Sequence, residues 1–132
     1  MDASRTTDRR VARIPCGRGA PAEARRWAAW LRGTVEPATL EAIMVVVSEL
    51  VTNAVRHAGL AAGAPIEVSG EVRRGRVTLT VRDRGIGLPA MAPPSAPSPT
   101  SAGSRGLYLV GRLSTRVLMD PPAGAVTCEF AR

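Results

Sequence analysis

Three short stretches carry residues whose types and spacing could do chemistry. The first is Glu49-Leu50-Val51-Thr52-Asn53-Ala54-Val55-Arg56-His57, in which Glu49, Asn53 and His57 follow at intervals of four. On a helix they rise along nearly one face. A carboxylate beside an amide oxygen suits a hard cation or a polarised water, although the same pair is ordinary on a solvated helix. The second stretch is Asp83-Arg84-Gly85-Ile86-Gly87. An acid at a strand end with two spaced glycines lets backbone approach a ligand closely; a plain turn reads the same way. The third is Gly103-Ser104-Arg105-Gly106-Leu107. Small residues at a helix start leave free N–H groups for an anion, and Arg105 adds a guanidinium fork. The alternative there is a capping Ser104 with a solvated Arg105. The glycine spacing is not that of a dinucleotide-binding turn, and without any lysine there is no P-loop.

The elements that must position these residues follow from hydrophobic period. Residues 1–9 are polar and charged and are expected to be a flexible N-terminus, with 10–132 a single domain. A short first strand is predicted at 11–16. Pro21 can stand in the first turn of a helix over 22–31, whose stripe is Ala24, Trp27, Ala28 and Leu31. Trp27 is read as core, and Gly33 as the stop. The longest helical pattern is 40–58, with Leu40, Ile43, Val47, Leu50, Val51, Ala54 and Ala58 on its apolar face.

A hairpin comes next. Ile66, Val68, Gly70 and Val72 alternate with polar residues, Arg74-Gly75 turns the chain, and Val77, Leu79 and Val81 alternate again. Pro89, Pro93, Pro94, Pro97 and Pro99 make 89–104 a loop within the domain. A helix over 105–112 and strands over 115–119 and 126–130 close the chain. Helices on one face of a mostly antiparallel mixed sheet give an α+β, two-layer sandwich.

Composition narrows the function. With 45% hydrophobic residues in 132, the chain is expected to fold. Eighteen arginines against eleven acids give a net charge of +7, which suggests acidic partners. Arg73, Arg74 and Arg76 around the hairpin turn are candidates for such contacts, or a solvated turn. Aromatic residues are only Trp27, Trp30, Tyr108 and Phe130, too few for a base-stacking platform, so direct nucleic-acid binding is not expected. One histidine argues against a structural zinc site, and Cys16 and Cys128 could form one disulfide but are better read as two reduced thiols of a cytoplasmic protein. No apolar stretch is read as long enough to span a bilayer, and no apolar block follows the N-terminal arginines, so no membrane is expected.

The three stretches in this order say more than any one of them. The pattern ELVTNAVRHA … VRDRGIGLP … GSRGLYLV resembles the ATPase family shared by gyrase, the ninety-kilodalton heat-shock chaperones, histidine kinases and MutL. Within it, the chain is most similar to bacterial anti-sigma serine/threonine kinases, over about residues 11–130. The resemblance implies MgATP as cofactor. Asn53 resembles the asparagine that holds Mg²⁺ against the phosphates, and Glu49 the general base. Asp83 resembles the acceptor of the adenine amino group, with Gly85 and Gly87 lying against the nucleotide. Residues 89–104 match a lid, and Ser104, Arg105, Gly106 and Leu107 the phosphate-facing helix start. Ser104 stands where the family commonly has glycine. Ala125 follows Gly124 where a threonine is usual, leaving Thr127 as the nearest hydroxyl.

By the same resemblance, the function would be that of a homodimeric anti-sigma factor. It would sequester a sigma factor and phosphorylate a serine on an anti-sigma factor antagonist. The alternative is a nucleotide-gated binding module with little or no kinase activity.

Overall fold

The computed structural model describes residues 8–57, 59–83 and 102–131. In chain order the elements are β1 (Asp8–Pro15), α1 (Ala20–Ala28), α2 (Pro37–His57), β2 (Pro65–Arg73), β3 (Arg76–Arg82), α3 (Ala102–Leu113), β4 (Arg116–Asp120) and β5 (Ala125–Ala131). Single 3₁₀ turns at Ala29–Leu31 and Pro121–Ala123 extend α1 and join β4 to β5.

The five strands form one sheet in the order β1-β2-β3-β5-β4. Among the described residues every neighbouring pair of these strands is antiparallel, and the expected α+β two-layer sandwich, with helices on one face of the sheet, is present. The β2–β3 hairpin follows directly from its sequence. Arg74 and Gly75 have φ of 47° and 77°. A two-residue hairpin loop with positive φ at both central residues matches the twist of the flanking strands.

Alternation assigns the two sheet faces. Ile66, Val68 and Val72 on β2, Val77, Leu79 and Val81 on β3, and Val126, Cys128 and Phe130 on β5 are buried. They pair across strands as Val77↔Phe130, Leu79↔Cys128 and Val81↔Val126. Glu67, Ser69, Glu71, Thr78, Thr80, Thr127 and Glu129 occupy the opposite face and are only half-buried. The helices lie on the buried face: α1 packs on β1 and α2, α2 crosses β3 and β5, and α3 packs on α2.

The central helix α2 buries Leu40, Ile43, Val46, Val47, Leu50, Val51, Asn53 and Ala54. Each large apolar side chain taken fully out of water contributes about 1.5–3 kcal/mol. This face is broader than the stripe read from the sequence, because Val46 joins it where α2 is covered on two sides. By length and mean hydropathy α2 is also apolar enough to cross a membrane, which corrects the expectation that no stretch is. In this fold that apolarity supplies the core.

Several boundaries move. Asp8 and Arg9 lie in β1 rather than in a flexible terminus, because β1 pairs with β2 from Asp8↔Val72 onward. The predicted helix 22–31 starts at Ala20 and tightens to 3₁₀ after Ala28. Trp27 is partly buried against the core and meets Trp30 edge-on at 6.1 Å. Both indoles lie against Gly70, where a Cβ would stand 3.1 Å from each. Arg10 stacks on the Trp30 ring at 5.1 Å, a cation–π contact that covers the outer edge of this cluster. The lid expected at 89–104 lies outside the described residues up to 101, and 102–104 are the first turn of α3.

Candidate functional site

Among the described residues, the buried polar or charged side chains are Asn53 and Asp83, at 5% and 3% exposure. They come from different elements and were both singled out by motif. Burying a polar atom without a partner is costly, and of these two side chains it is Asn53 that leaves one unpaired, so its placement needs a reason beyond packing.

Asn53 sits in the second half of α2, one helical turn after Glu49. Its Nδ2 is buried without a hydrogen-bond partner. Glu49 is half-buried, and His57, a further turn on, is exposed. The helix around them is held firmly. Thr52 Oγ1 donates to the Ser48 carbonyl at 2.7 Å, and Arg25 reaches from α1 to donate to Ser48 Oγ at 2.7 Å. Glu49 and Asn53 thus stand on a fixed rod, with an unspent amide beside a carboxylate.

Asp83 is the first residue past β3. Val81 faces the helices and Arg82 faces away, so alternation returns Asp83 to the helix side, where it is buried. Its N–H donates to the Gly124 carbonyl at 2.9 Å, which extends the β3–β5 ladder by one step. Gly124 has φ of 63°. A Cβ there would overlap the Asp83 carbonyl oxygen and stand 3.1 Å from Asp83 Oδ1. From the sequence, Gly124 falls only in the connection between the strands expected at 115–119 and 126–130. Its contact with Asp83 depends on β5 pairing with β3, and no local signal specifies that.

The remaining candidates divide. Gly85 and Gly87 lie outside the described residues. Ser104, Arg105, Gly106 and Leu107 are all within α3, which begins at Ala102, three residues before the helix start read from the sequence. In an α-helix the first N–H groups lack intrahelical acceptors. Ser104 falls in that first turn, whereas the N–H groups of Gly106 and Leu107 belong to the helical ladder. Thr127 is not brought to Asp83. It pairs with Thr80 on the other face of the sheet, with the two hydroxyl oxygens 3.0 Å apart. Ala125 is opposite Arg82.

The described residues contain no group of three His, Cys, Asp or Glu able to hold a metal. Asn53 Oδ1 is an oxygen that a hard cation such as magnesium could use, whereas the unpartnered Nδ2 is an N–H donor and suits an acceptor such as a phosphate oxygen. The orphaned Asn53 amide fits a polar occupant beside it. Two surface hollows, of about 170 and 440 Å³, are lined by Arg13, Pro65, Glu67 and Arg82 and by residues of the hairpin tip. Neither includes Asn53 or Asp83. At the tip, Arg76 pairs with Glu129 at 3.1 Å, so part of the basic charge there is already met.

The cysteines are both free and buried. Burial pushes the Cys128 thiol up from 9.0 to about 11, and the Ser114 hydroxyl offsets this in part. It is a packing residue opposite Leu79 rather than a nucleophile.

Residues 18–128 match the family model of the histidine kinase-like ATPase domain. No curated protein matches the chain. Among solved structures, the fold is similar to the crystal structure of the RsbU and RsbW domains of Rv1364c from Mycobacterium tuberculosis, with a TM-score of 0.70 and 20% identity. That match covers 95% of this chain and 32% of the other, so this chain spans about a third of its neighbour's length. At this identity the likeness is one of fold.

Proposed function

Because the chain belongs to the histidine kinase-like ATPase domain family, we propose that it binds MgATP and acts as a serine kinase on an anti-sigma factor antagonist, and that it sequesters a sigma factor. The observation that carries this reading is the pair of buried polar side chains, Asn53 with its unpartnered amide and Asp83 clamped at the end of β3. The solved neighbour's RsbU and RsbW domains support the regulatory part of the reading.

In this reading Asp83 accepts a hydrogen bond from the adenine amino group, and Asn53 helps to hold magnesium against the phosphates. Bound magnesium would neutralise phosphate charge, which together with positioning carries most of the catalysis of phosphoryl transfer. Glu49 takes the proton of the attacking serine hydroxyl as that oxygen bonds to the γ-phosphorus and ADP departs. The new phosphoserine brings a charge near −2 to the antagonist and weakens the interface by repulsion and desolvation. The protein works as a cytoplasmic homodimer with protein partners rather than nucleic acid or membrane.

A second reading, a nucleotide-gated binding module with little kinase activity, is favoured by α3 and by Thr127. The N–H groups of Gly106 and Leu107 are spent in the helix, and Thr127 faces away from Asp83. Calorimetric titration with ATP, with and without Mg²⁺, tests the shared part. Saturable binding strengthened by Mg²⁺ and weakened in Asn53→Ala is expected; no binding by a folded sample refutes both readings. Glu49→Gln then separates them. Under the kinase reading it keeps ATP binding and loses about a hundredfold or more in phosphotransfer. If wild type transfers no phosphate to any antagonist offered, the binding module is the correct account.

A further inference from the structure

We propose that Gly124 is a positioning residue for purine selection: through β5 it sets where the Asp83 carboxylate stands, and so makes the site choose a 6-amino over a 6-oxo purine. The inference rests on the reading that Asp83 meets the adenine amino group, and it adds what fixes that carboxylate in place. Two contacts make the case. The Asp83 N–H donates to the Gly124 carbonyl at 2.9 Å, which ties the two backbones together. On the same residue, the missing Cβ leaves the space that the Asp83 carbonyl and Oδ1 occupy. Both groups next to Gly124 are therefore close, and the nearest is backbone, which cannot swing aside as a side-chain tip can.

Any Cβ at 124 must displace Asp83 or break the backbone bond to it. Either moves the carboxylate. A hydrogen bond weakens steeply once its distance and angle leave a narrow range, and misplacements near 1 Å are costly at binding and reacting centres. The phosphate end of a nucleotide, served by α2 and α3, does not depend on this contact. The effect should therefore fall on base selection and spare triphosphate binding. Gly75 supplies a matched control. Its φ is 77°, yet nothing lies within 4 Å of a Cβ built there, so substitution at that position strains the backbone without touching Asp83.

The test is calorimetric titration of the full chain with ATP and with inosine triphosphate, in which a 6-oxo group replaces the amino group. Wild type is expected to prefer ATP by about tenfold or more, the worth of a hydrogen bond to a charged acceptor. Asp83→Asn, whose amide can donate to a 6-oxo group, is expected to erase or reverse the preference. Gly124→Ala is expected to bring the two affinities within about threefold by loss of ATP binding, with inosine triphosphate affinity little changed. Gly124→Asn, which accepts positive φ more readily but still carries Cβ, is expected to do the same and guards against a folding failure. Gly75→Ala should keep the wild-type ratio. A folded Gly124 variant that retains the wild-type ratio, while Asp83→Asn loses it, overturns the proposal. If Asp83→Asn itself retains the ratio, the reading of Asp83 fails, and the role of Gly124 with it.

Discussion

Strand β3 meets a glycine of positive φ at each end. At its start Gly75 has φ of 77° and open space around the position of a Cβ. Past its end Asp83 meets Gly124, which has φ of 63° and lies directly against the Asp83 carbonyl and carboxylate. The backbone conformation is similar and the cause differs. Gly75 serves a local turn between adjacent strands, where only left-handed φ matters. Gly124 serves a contact between segments more than forty residues apart in sequence, where space matters as well. One end of β3 is therefore set by turn chemistry and the other by packing. The end set by packing holds the buried acid.

Breaking the packed end should cost most. Gly124→Ala combines left-handed strain with overlap against backbone and is expected to lose roughly 3 kcal/mol, measured by urea unfolding. Similar losses at positions 75 and 124 would remove the distinction between the two ends.

Between them, β3 places Leu79 opposite Cys128 in the core. The folded state keeps the Cys128 proton up to about pH 11, whereas the released thiol ionises near 9.0. The folded pKa is the higher one, so this stabilisation is complete below pH 9 and is lost as pH rises through 11. The loss should approach roughly 2–3 kcal/mol. Unfolding series at pH 8, 9, 10 and 11 on wild type and Cys128→Ala check it. The variant should be less stable at pH 8 and show a flatter decline. The chain contains no lysine, which removes a common source of charge change in that window. A wild-type slope equal to the variant's would mean that Cys128 is not held protonated by the core.

At the turn end, Gly75→Ala is expected to cost about 1 kcal/mol. Gly75→Asn should recover most of it, since asparagine accepts left-handed φ. No such recovery would show that more than backbone conformation governs the turn. The smallest effect concerns the Arg76–Glu129 pair, with Arg76 two-thirds exposed and a separation of 3.1 Å. A double-mutant cycle with Arg76→Gln and Glu129→Gln should give a coupling of about 0.5 kcal/mol or less, fading with salt.

The placement of the candidate residues was legible in the sequence where they share one element. Glu49 and Asn53 need only the 3.6-residue period to stand one turn apart. The hairpin, its Arg74-Gly75 loop and the alternation of Val77, Leu79 and Val81 are equally local. Asp83 could be named by its motif, but its burial could not be derived from that motif. Val46 escaped because its stripe is widened by a second packing neighbour. The α3 helix starts three residues before the expected position, since small residues such as Ala102 and Gly103 carry no strong period.

Composition and period by themselves determined a two-layer α+β domain, its central helix and the chemistry-bearing positions on it, because those patterns follow from residues near one another in the chain. Tertiary structure alone decided that β5 enters between β3 and β4. That insertion brings Gly124 to Asp83 and turns Thr127 toward Thr80. Strand order and register are set by which apolar faces can be buried together across the whole sheet, and a contact chosen that way has no signature in the few residues that make it.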